Sequence, residues 1–306
     1  MKTLRVITTF PPNRWNAYAE RMLKSHIEFW PNDVKLTAYH EGPAPSLVHE
    51  KIEYVNIENA NPGLVRFKNK YKNDPVANGE LQEIPGGVRR NPNAGKNDKG
   101  KGSYLWDAVR FSHKTFAVDH AIKNYDVDYI LWLDADTYTF RPITKEFVIN
   151  LLPQDKLVNF LGRGQKYPEW GWVCYNRKHP KIKKFMETWT DLYNKDTIFN
   201  EMEWHDSYLF WQIVQRVAPQ DGVDIGKGAG AKGHHVFINS VLGEYIDHMK
   251  GKRKIKGKSS RSDLRTQRNE KYWQNVENYN PFGGIKFDPK QAQDIISKVA
   301  KGKTGN

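Results

Sequence analysis

The sequence predicts an α/β fold, a Rossmann-like mixed sheet flanked by helices and interrupted by a basic loop insertion. Three observations carry this reading. The chain opens on a short β-α-β pattern, and helix-period segments alternate with short apolar runs over most of its 306 residues. One of those runs, 129–133 (Tyr-Ile-Leu-Trp-Leu), is continuously apolar, as in a strand buried on both faces.

In chain order, Arg5 to Phe10 reads as the first strand. Trp15 to Trp30 offers Ala17, Met22, Leu23, Ile27 and Trp30 to one face of a helix, and Pro31-Asn-Asp makes the turn after it. Val34 to Tyr39 and Ile52 to Ile57 are the next strands. No Gly-x-Gly-x-x-Gly follows the first strand, so this is not a dinucleotide fingerprint. Residues 59–102 change to Asn, Gly, Pro and Lys with weak periodicity and read as an inserted loop, with one short helix near Leu64 to Tyr71. A helix from Tyr104 to Asn124 leads into the apolar strand. Then come a helix (Lys145 to Leu152), strands at Leu157 to Leu161 and Gly171 to Tyr175, and helices at Lys181 to Tyr193 and Trp204 to Val217. The loop Gly226 to Gly233 is glycine-rich without the Lys-Ser/Thr of a phosphate-binding loop and reads as a hinge or lid. Lys286 to Lys301 reads as a terminal helix. With no internal repeat and no second core, the expected organisation is one domain over 1–255, containing the 59–102 insertion, and a basic C-terminal extension over 256–306.

The 38% hydrophobic and 13% aromatic content excludes a disordered chain. A single cysteine, Cys174, excludes an intramolecular disulfide and suits a reducing compartment. Neither a signal peptide nor a membrane-spanning run is legible, and the expectation is a cytoplasmic protein. The net charge of +13 is concentrated. Residues 61–102 carry nine Lys/Arg against four acids, and residues 250–272 carry ten against two, so the remainder is neutral. Two basic segments on a neutral body point to a polyanionic partner.

The most informative residues are Asp134 and Asp136, at the exit of the apolar strand. Side chains two apart on a strand share a side, and two converging carboxylates repel unless a cation lies between them. An all-oxygen pair suits a hard divalent ion, Mn²⁺ or Mg²⁺. The carboxyl ends of parallel strands are also where open α/β sheets bind nucleotides. His205-Asp206-Ser207 is not a catalytic triad, because neighbours in sequence on one helix do not converge. Trp170 and Trp172, on one side of a strand by simple alternation, offer flat faces for stacking a sugar or base, with core packing the alternative for one of the two.

In order along the chain stand the β-α-β start, a long helix, Leu133-Asp-Ala-Asp136, the aromatic strand Trp170-Gly-Trp-Val-Cys-Tyr-Asn176, His205-Asp-Ser207 and a late His-plus-Lys cluster. This set resembles the GT-A-fold, DxD-containing, metal-dependent nucleotide-sugar glycosyltransferases over residues 1–255, the insertion apart. The resemblance implies Asp136 as principal metal ligand, with Asp134 touching both metal and ribose. It implies a third ligand from His248, with His235 as rival. Members carry a His-x-x-Gly-x-x-Lys element. The run His248-Met-Lys250-Gly-Lys252-Arg253 is taken as its counterpart, read as departing from that spacing, with Lys250 and Lys252 on the donor diphosphate. The resemblance further implies base and ribose contacts at Thr8 and Phe10, a donor-facing cation from Arg110 or Lys114, and Asp206 as general base or sugar-orienting carboxylate. A UDP-sugar is the donor it favours. The chain is also similar to phage-encoded glycosyltransferases. This implies a host-cytoplasmic setting and, with the basic segments, DNA carrying a hydroxymethylated pyrimidine as acceptor. A surface glycan or lipid-linked acceptor, or a metal-dependent nucleic-acid-processing or binding protein, are the alternatives.

Overall fold

The computed structural model describes residues 2–84, 87–90, 104–164, 166–230 and 235–274. The terminal helix expected at Lys286 to Lys301 and the outer end of the Gly226 to Gly233 loop lie outside the described residues.

The chain begins with β1 (Leu4–Phe10), a 3₁₀ turn, and a π-type turn Trp15–Ala19 that runs into α1 (Glu20–Phe29). The single helix expected from Trp15 is thus two pieces, the first wound more loosely. β2 (Lys35–His40) and β3 (Ile52–Asn56) follow. The insertion begins with α2 (Ile57–Ala60) and α3 (Pro62–Tyr71), started by Asn56 as N-cap and by Pro62 in the first turn. It continues into a hairpin, β4 (Leu81–Ile84) and β5 (Gly87–Arg90), that the sequence pattern did not announce. α4 (Ala108–Asn124), capped by Asp107, leads to β6 (Tyr129–Leu133) and the short β7 (Thr137–Thr139).

Next come α5 (Lys145–Asn150), β8 (Val158–Arg163), β9 (Lys166–Asn176), α6 (Ile182–Asn194), α7 (Asp206–Val217) and β10 (Gly222–Asp224). The described part ends with α8 (Val236–Asn239), β11 (Ile246–His248), α9 (Arg253–Lys256) and α10 (Lys271–Gln274).

Seven strands form one sheet in the order β10-β8-β9-β6-β1-β2-β3. It is mixed as expected: β9 runs antiparallel to both neighbours, β8 and β6, while the other pairings are parallel. Alternate residues of β6 feed two cores, Ile130 and Trp132 one, Tyr129, Leu131 and Leu133 the other. The first core holds the apolar faces of α4, α6 and α7, the second those of α1, α5 and α8. At about 1.5–3 kcal/mol per fully buried large apolar side chain, this double-sided burial is what makes an unbroken apolar pentapeptide a central strand.

The segment after residue 255 packs on the second core. Leu264 and Trp273 are buried in it, Trp273 Nε1 donates to the Gly243 carbonyl at 2.7 Å, and Ser259 N donates to Asp247 at 2.8 Å.

The expected shared face of Trp170 and Trp172 is corrected. Opposite β8, the pairing jumps from Phe160–Val173 to Leu161–Glu169, so a bulge at 170–172 breaks the alternation. Trp170 enters the first core and Trp172 the second, and both are buried. Neither presents an open face for stacking.

Candidate active site

A cleft of about 910 Å³ opens beyond the carboxyl ends of β1 and β6. Its centre is built by two strand exits brought face to face. The chain turns sharply after β6, with Thr137 N bonding back to the Asp134 carbonyl at 3.1 Å, and enters β7. β11 pairs antiparallel with β7 and sets His248 opposite Thr137. His248 Nε2 then lies 3.1 Å from Asp136 Oδ1 and 3.7 Å from Asp134 Oδ2. Donor atoms of these three residues all fall within 4.8 Å of one another, the only such group of three metal-ligating residues found among the described residues. Two carboxylates and an imidazole, converging where only a cation can hold the carboxylates together, fit a hard or borderline divalent ion.

Glycine is required at one neighbouring position. A Cβ on Gly171 would come within 2.5 Å of the His248 ring, so the imidazole reaches the carboxylates only because β9 is bare there.

A buried acid that sequence reasoning missed stands behind the histidine. Glu169 Oε1 lies 3.5 Å from His248 Nδ1 and 3.2 Å from Lys250 Nζ, and accepts from Gly171 N at 3.1 Å. A carboxylate on the far nitrogen of a ligating histidine fixes the ring and raises its basicity. The available signal was an acid within an otherwise apolar strand, Pro168-Glu-Trp-Gly-Trp.

Lys114 bridges the centre to the next carboxylate. Its Nζ lies 2.8 Å from Asp134 Oδ1 and 2.6 Å from Asp206 Oδ2, above the rings of Trp132 and Trp170. Asp134 Oδ1 also accepts from Trp132 Nε1 at 2.9 Å. Asp206 is the first residue of α7. Its Oδ1 accepts from Ser207 N at 2.8 Å, and the cap proper is His205.

The electrostatics follow from these contacts. Burial opposes the charge of Lys114, but Asp134 and Asp206 outweigh it and hold the ammonium firmly protonated. Burial likewise pushes the Asp206 carboxyl up, and Lys114 and His205 overcome it, holding the group far below the usual carboxylate range. Asp136 behaves in the same way through His248 and Lys254, and Glu169 through Lys250 and His248. Asp134 is pushed up, by burial first, with Lys114 opposing and Asp136 adding to the rise. Burial would lower His248, but Glu169 and Asp136 raise it to about 9. The metal-free centre thus pairs four acidic side chains (Asp134, Asp136, Glu169, Asp206) with four basic ones (Lys114, His248, Lys250, Lys254).

A pH prediction follows. With a folded pKa near 9 and an unfolded value of about 6.5, His248 contributes stability that is complete below pH about 6.5. That contribution is lost as pH rises through about 9. A metal ligand must be neutral, so binding Mn²⁺ between these limits releases close to one proton per site. Calorimetry in buffers of different ionisation enthalpy measures it; His248→Ala removes the release.

The other expected site residues fall as follows. Phe10 and Arg110 line the cleft, and Lys250 lies on its rim. Thr8 does not line it: its side chain is fully buried in the sheet, and the lining begins one residue later with Thr9 and Phe10 at the strand's end. Lys252 does not line it either. The run reads His248-x-x-Gly251-x-x-Lys254, so the expected element is present with Lys254 as its lysine. Lys254 Nζ lies 2.6 Å from Asp136 Oδ2, its carbonyl held by Arg21 at 2.9 Å. His235 is not in the three-residue group; its Nε2 bonds the His248 carbonyl at 2.7 Å, so it braces β11. Tyr18, on the π-type turn, also lines the cleft, and burial followed by Asp136 pushes its hydroxyl up to about 12.

No protein-family model and no curated protein matches the chain. Its neighbours among solved structures are glycosyltransferases. A glycosyltransferase involved in glycosylation of the major capsid of PBCV-1 is 13% identical, with TM-score 0.43 over 83% of this chain and 96% of that one. Mouse xyloside xylosyltransferase 1 is 10% identical, with TM-score 0.45 over 73% and 85%. The glycosyltransferase GlyE of Streptococcus pneumoniae TIGR4 is 11% identical, with TM-score 0.39 over 76% of this chain and 49% of that one. At TM-scores below 0.5 these likenesses carry no argument, and the chemistry rests on the site's own side chains. No helix among the described residues is long and apolar enough to cross a membrane.

Proposed function

We propose that the protein is a metal-dependent glycosyltransferase using a nucleotide-sugar donor. The observation that carries this reading is the convergence of Asp134, Asp136 and His248 at the carboxyl end of β6, with Lys250 and Lys254 on the same rim of one cleft. In the metal-free centre each acidic side chain already has a basic partner. Adding a divalent ion leaves it with excess positive charge, which the diphosphate of a nucleotide sugar offsets. The ion, when bound, stabilises negative charge on the departing nucleoside diphosphate.

The chain's own residues do the rest. Asp134, Asp136 and His248 hold the ion, and Lys254 and Lys250 turn from Asp136 and Glu169 to phosphate oxygens. Lys114 keeps Asp206 ionised beside the sugar. Both Asp206 oxygens are already engaged, Oδ2 by Lys114 Nζ and Oδ1 by Ser207 N, so Asp206 is assigned to orienting the sugar rather than to general-base work. The acceptor oxygen bonds to the anomeric carbon as the bond from that carbon to the diphosphate oxygen breaks. The electron pair leaves on the diphosphate, and the hydroxyl proton passes to it or to solvent. Mn²⁺ and a UDP-sugar, the donor implied by the resemblance, are the first to test.

A DNA acceptor with a hydroxymethylated pyrimidine rests on the two basic segments. Within 250–272, however, Lys250 faces Glu169, Arg253 pairs with Asp263, Lys254 with Asp136, Arg268 with Glu270, and Arg265 donates to the Gly228 carbonyl. At least half of the ten cations are engaged internally, which weakens the charge argument. Phosphodiester chemistry with two metals would need a second acidic cluster, and the described residues hold one such group.

Thermal shift with UDP, GDP and ADP, each with and without Mn²⁺, tests the reading. The expected result is stabilisation by one nucleoside diphosphate that requires the metal, together with slow hydrolysis of the matching nucleotide sugar. Stabilisation by duplex DNA alone, with no nucleotide effect, would defeat it.

A further inference from the structure

Part of the cleft wall carries residues that the metal, diphosphate and donor-sugar assignments above do not use. Along it, Asp206 is followed by its cap His205, and two aromatic rings that line the cleft flank that histidine. The ring centroid of Tyr104 lies 5.6 Å from His205, and that of Phe111 lies 6.2 Å away. Tyr104 is 47% exposed, one of four large hydrophobic side chains so exposed among the described residues.

That exposure is built in. Tyr104 begins a 3₁₀ turn, Tyr104–Trp106, that is clamped to the segment before α7. Trp204 N donates to the Leu105 carbonyl at 2.7 Å, and Trp106 Nε1 to the Met202 carbonyl at 3.0 Å. The charge of the cleft is also unlike that of the chain. Among the described residues, seven carboxylates line it against six lysines and arginines, although the full chain carries +13. Two of the seven, Glu80 and Asp107, lie with Asn78 and Arg110 in the lining.

We propose that this outer wall receives a carbohydrate acceptor, with one sugar ring against Tyr104 and Phe111 and its reacting hydroxyl toward the Lys114–Asp206 pair. The proposal rests on the glycosyltransferase reading above and names the acceptor class. A neutral sugar presents an apolar C–H face to an aromatic ring and hydroxyls to carboxylate, amide and guanidinium groups, and this wall supplies all of them. A nucleic-acid strand would bring phosphates against a lining whose described residues hold no excess of lysines and arginines over carboxylates, where specific binding normally begins with phosphate contacts.

The test measures nucleoside diphosphate release from a panel of nucleotide sugars with Mn²⁺. Each donor is assayed alone, with methyl glycosides of glucose, galactose and xylose, and with duplex DNA containing 5-hydroxymethylcytosine or 5-hydroxymethyluracil. Release above the acceptor-free rate is expected with at least one glycoside. Tyr104→Ala is expected to raise the KM for that glycoside by about tenfold, the loss of one stacking contact. The calorimetric Kd for the nucleoside diphosphate should move far less, and Tyr104→Trp should restore the KM. Donor hydrolysis unaffected by every glycoside, stimulation by DNA instead, or equal loss of donor and acceptor binding in Tyr104→Ala overturns the acceptor assignment. Absence of any donor hydrolysis or nucleotide binding overturns the glycosyltransferase reading itself, so the two failures are separable.

Discussion

Asp136→Asn is expected to lower sugar transfer by about three orders of magnitude or more, since several kcal/mol of transition-state stabilisation by the ion goes with it. Asp136 faces both His248 and Lys254 and has an ordinary carboxylate's reach to an ion shared with Asp134. The asparagine keeps shape and loses charge. Lys254, whose side chain is one-third exposed, can turn to solvent, so the fold should survive. The checks are Mn²⁺-dependent nucleotide binding by calorimetry, which should disappear, and circular dichroism, which should not change. Full turnover in Mn²⁺ by this variant would sink the metal assignment.

Lys114→Met is expected to be the most damaging substitution to the metal-free protein. Lys114 is the common partner of Asp134 and Asp206, and all three side chains are at most one-fifth exposed. Removing one member of a buried ionic group costs about 3–5 kcal/mol, because the remaining charges stay buried without compensation. Here two carboxylates would be left facing each other. Denaturant unfolding measures the loss. Adding Asp206→Asn should recover part of it, and a strictly additive double variant would show that Lys114 and Asp206 do not act as a unit. Mn²⁺ should stabilise Lys114→Met more than the parent, since the ion replaces part of the missing charge.

Much of this centre was legible in the sequence because it sits where periodicity is strongest. An unbroken apolar pentapeptide ending in Asp-x-Asp fixes strand, exit and convergence at once, and His248 stood out as a histidine among cations. What was not legible depended on tertiary pairing. Glu169 acquires its role only when β11 folds beside β9. Thr8 was misassigned because the side of a strand that faces a cleft depends on where its neighbours end. The opposite faces of Trp170 and Trp172 follow from a bulge that only the register against β8 reveals. Lys254, by contrast, is legible in the sequence from its spacing, His248-x-x-Gly251-x-x-Lys254, although Lys250 and Lys252 stand nearer to the histidine in the chain.

The pairing of β11 with β7 has a consequence for biosynthesis. The two carboxylates and the imidazole are separated by more than a hundred residues of chain, and the imidazole arrives on the later strand. During translation the large sheet acquires all seven of its strands before β11 has been made. A nascent or prematurely released chain ending ahead of residue 246 would therefore carry the acidic strand exit without its histidine or its Lys254 counter-ion. Such a fragment would leave Asp136 without either of its basic partners and would lack the third metal-ligating side chain, while Asp134 kept Lys114. Only a chain translated through Lys254 can assemble the centre, so catalytic competence itself reports how far synthesis has gone.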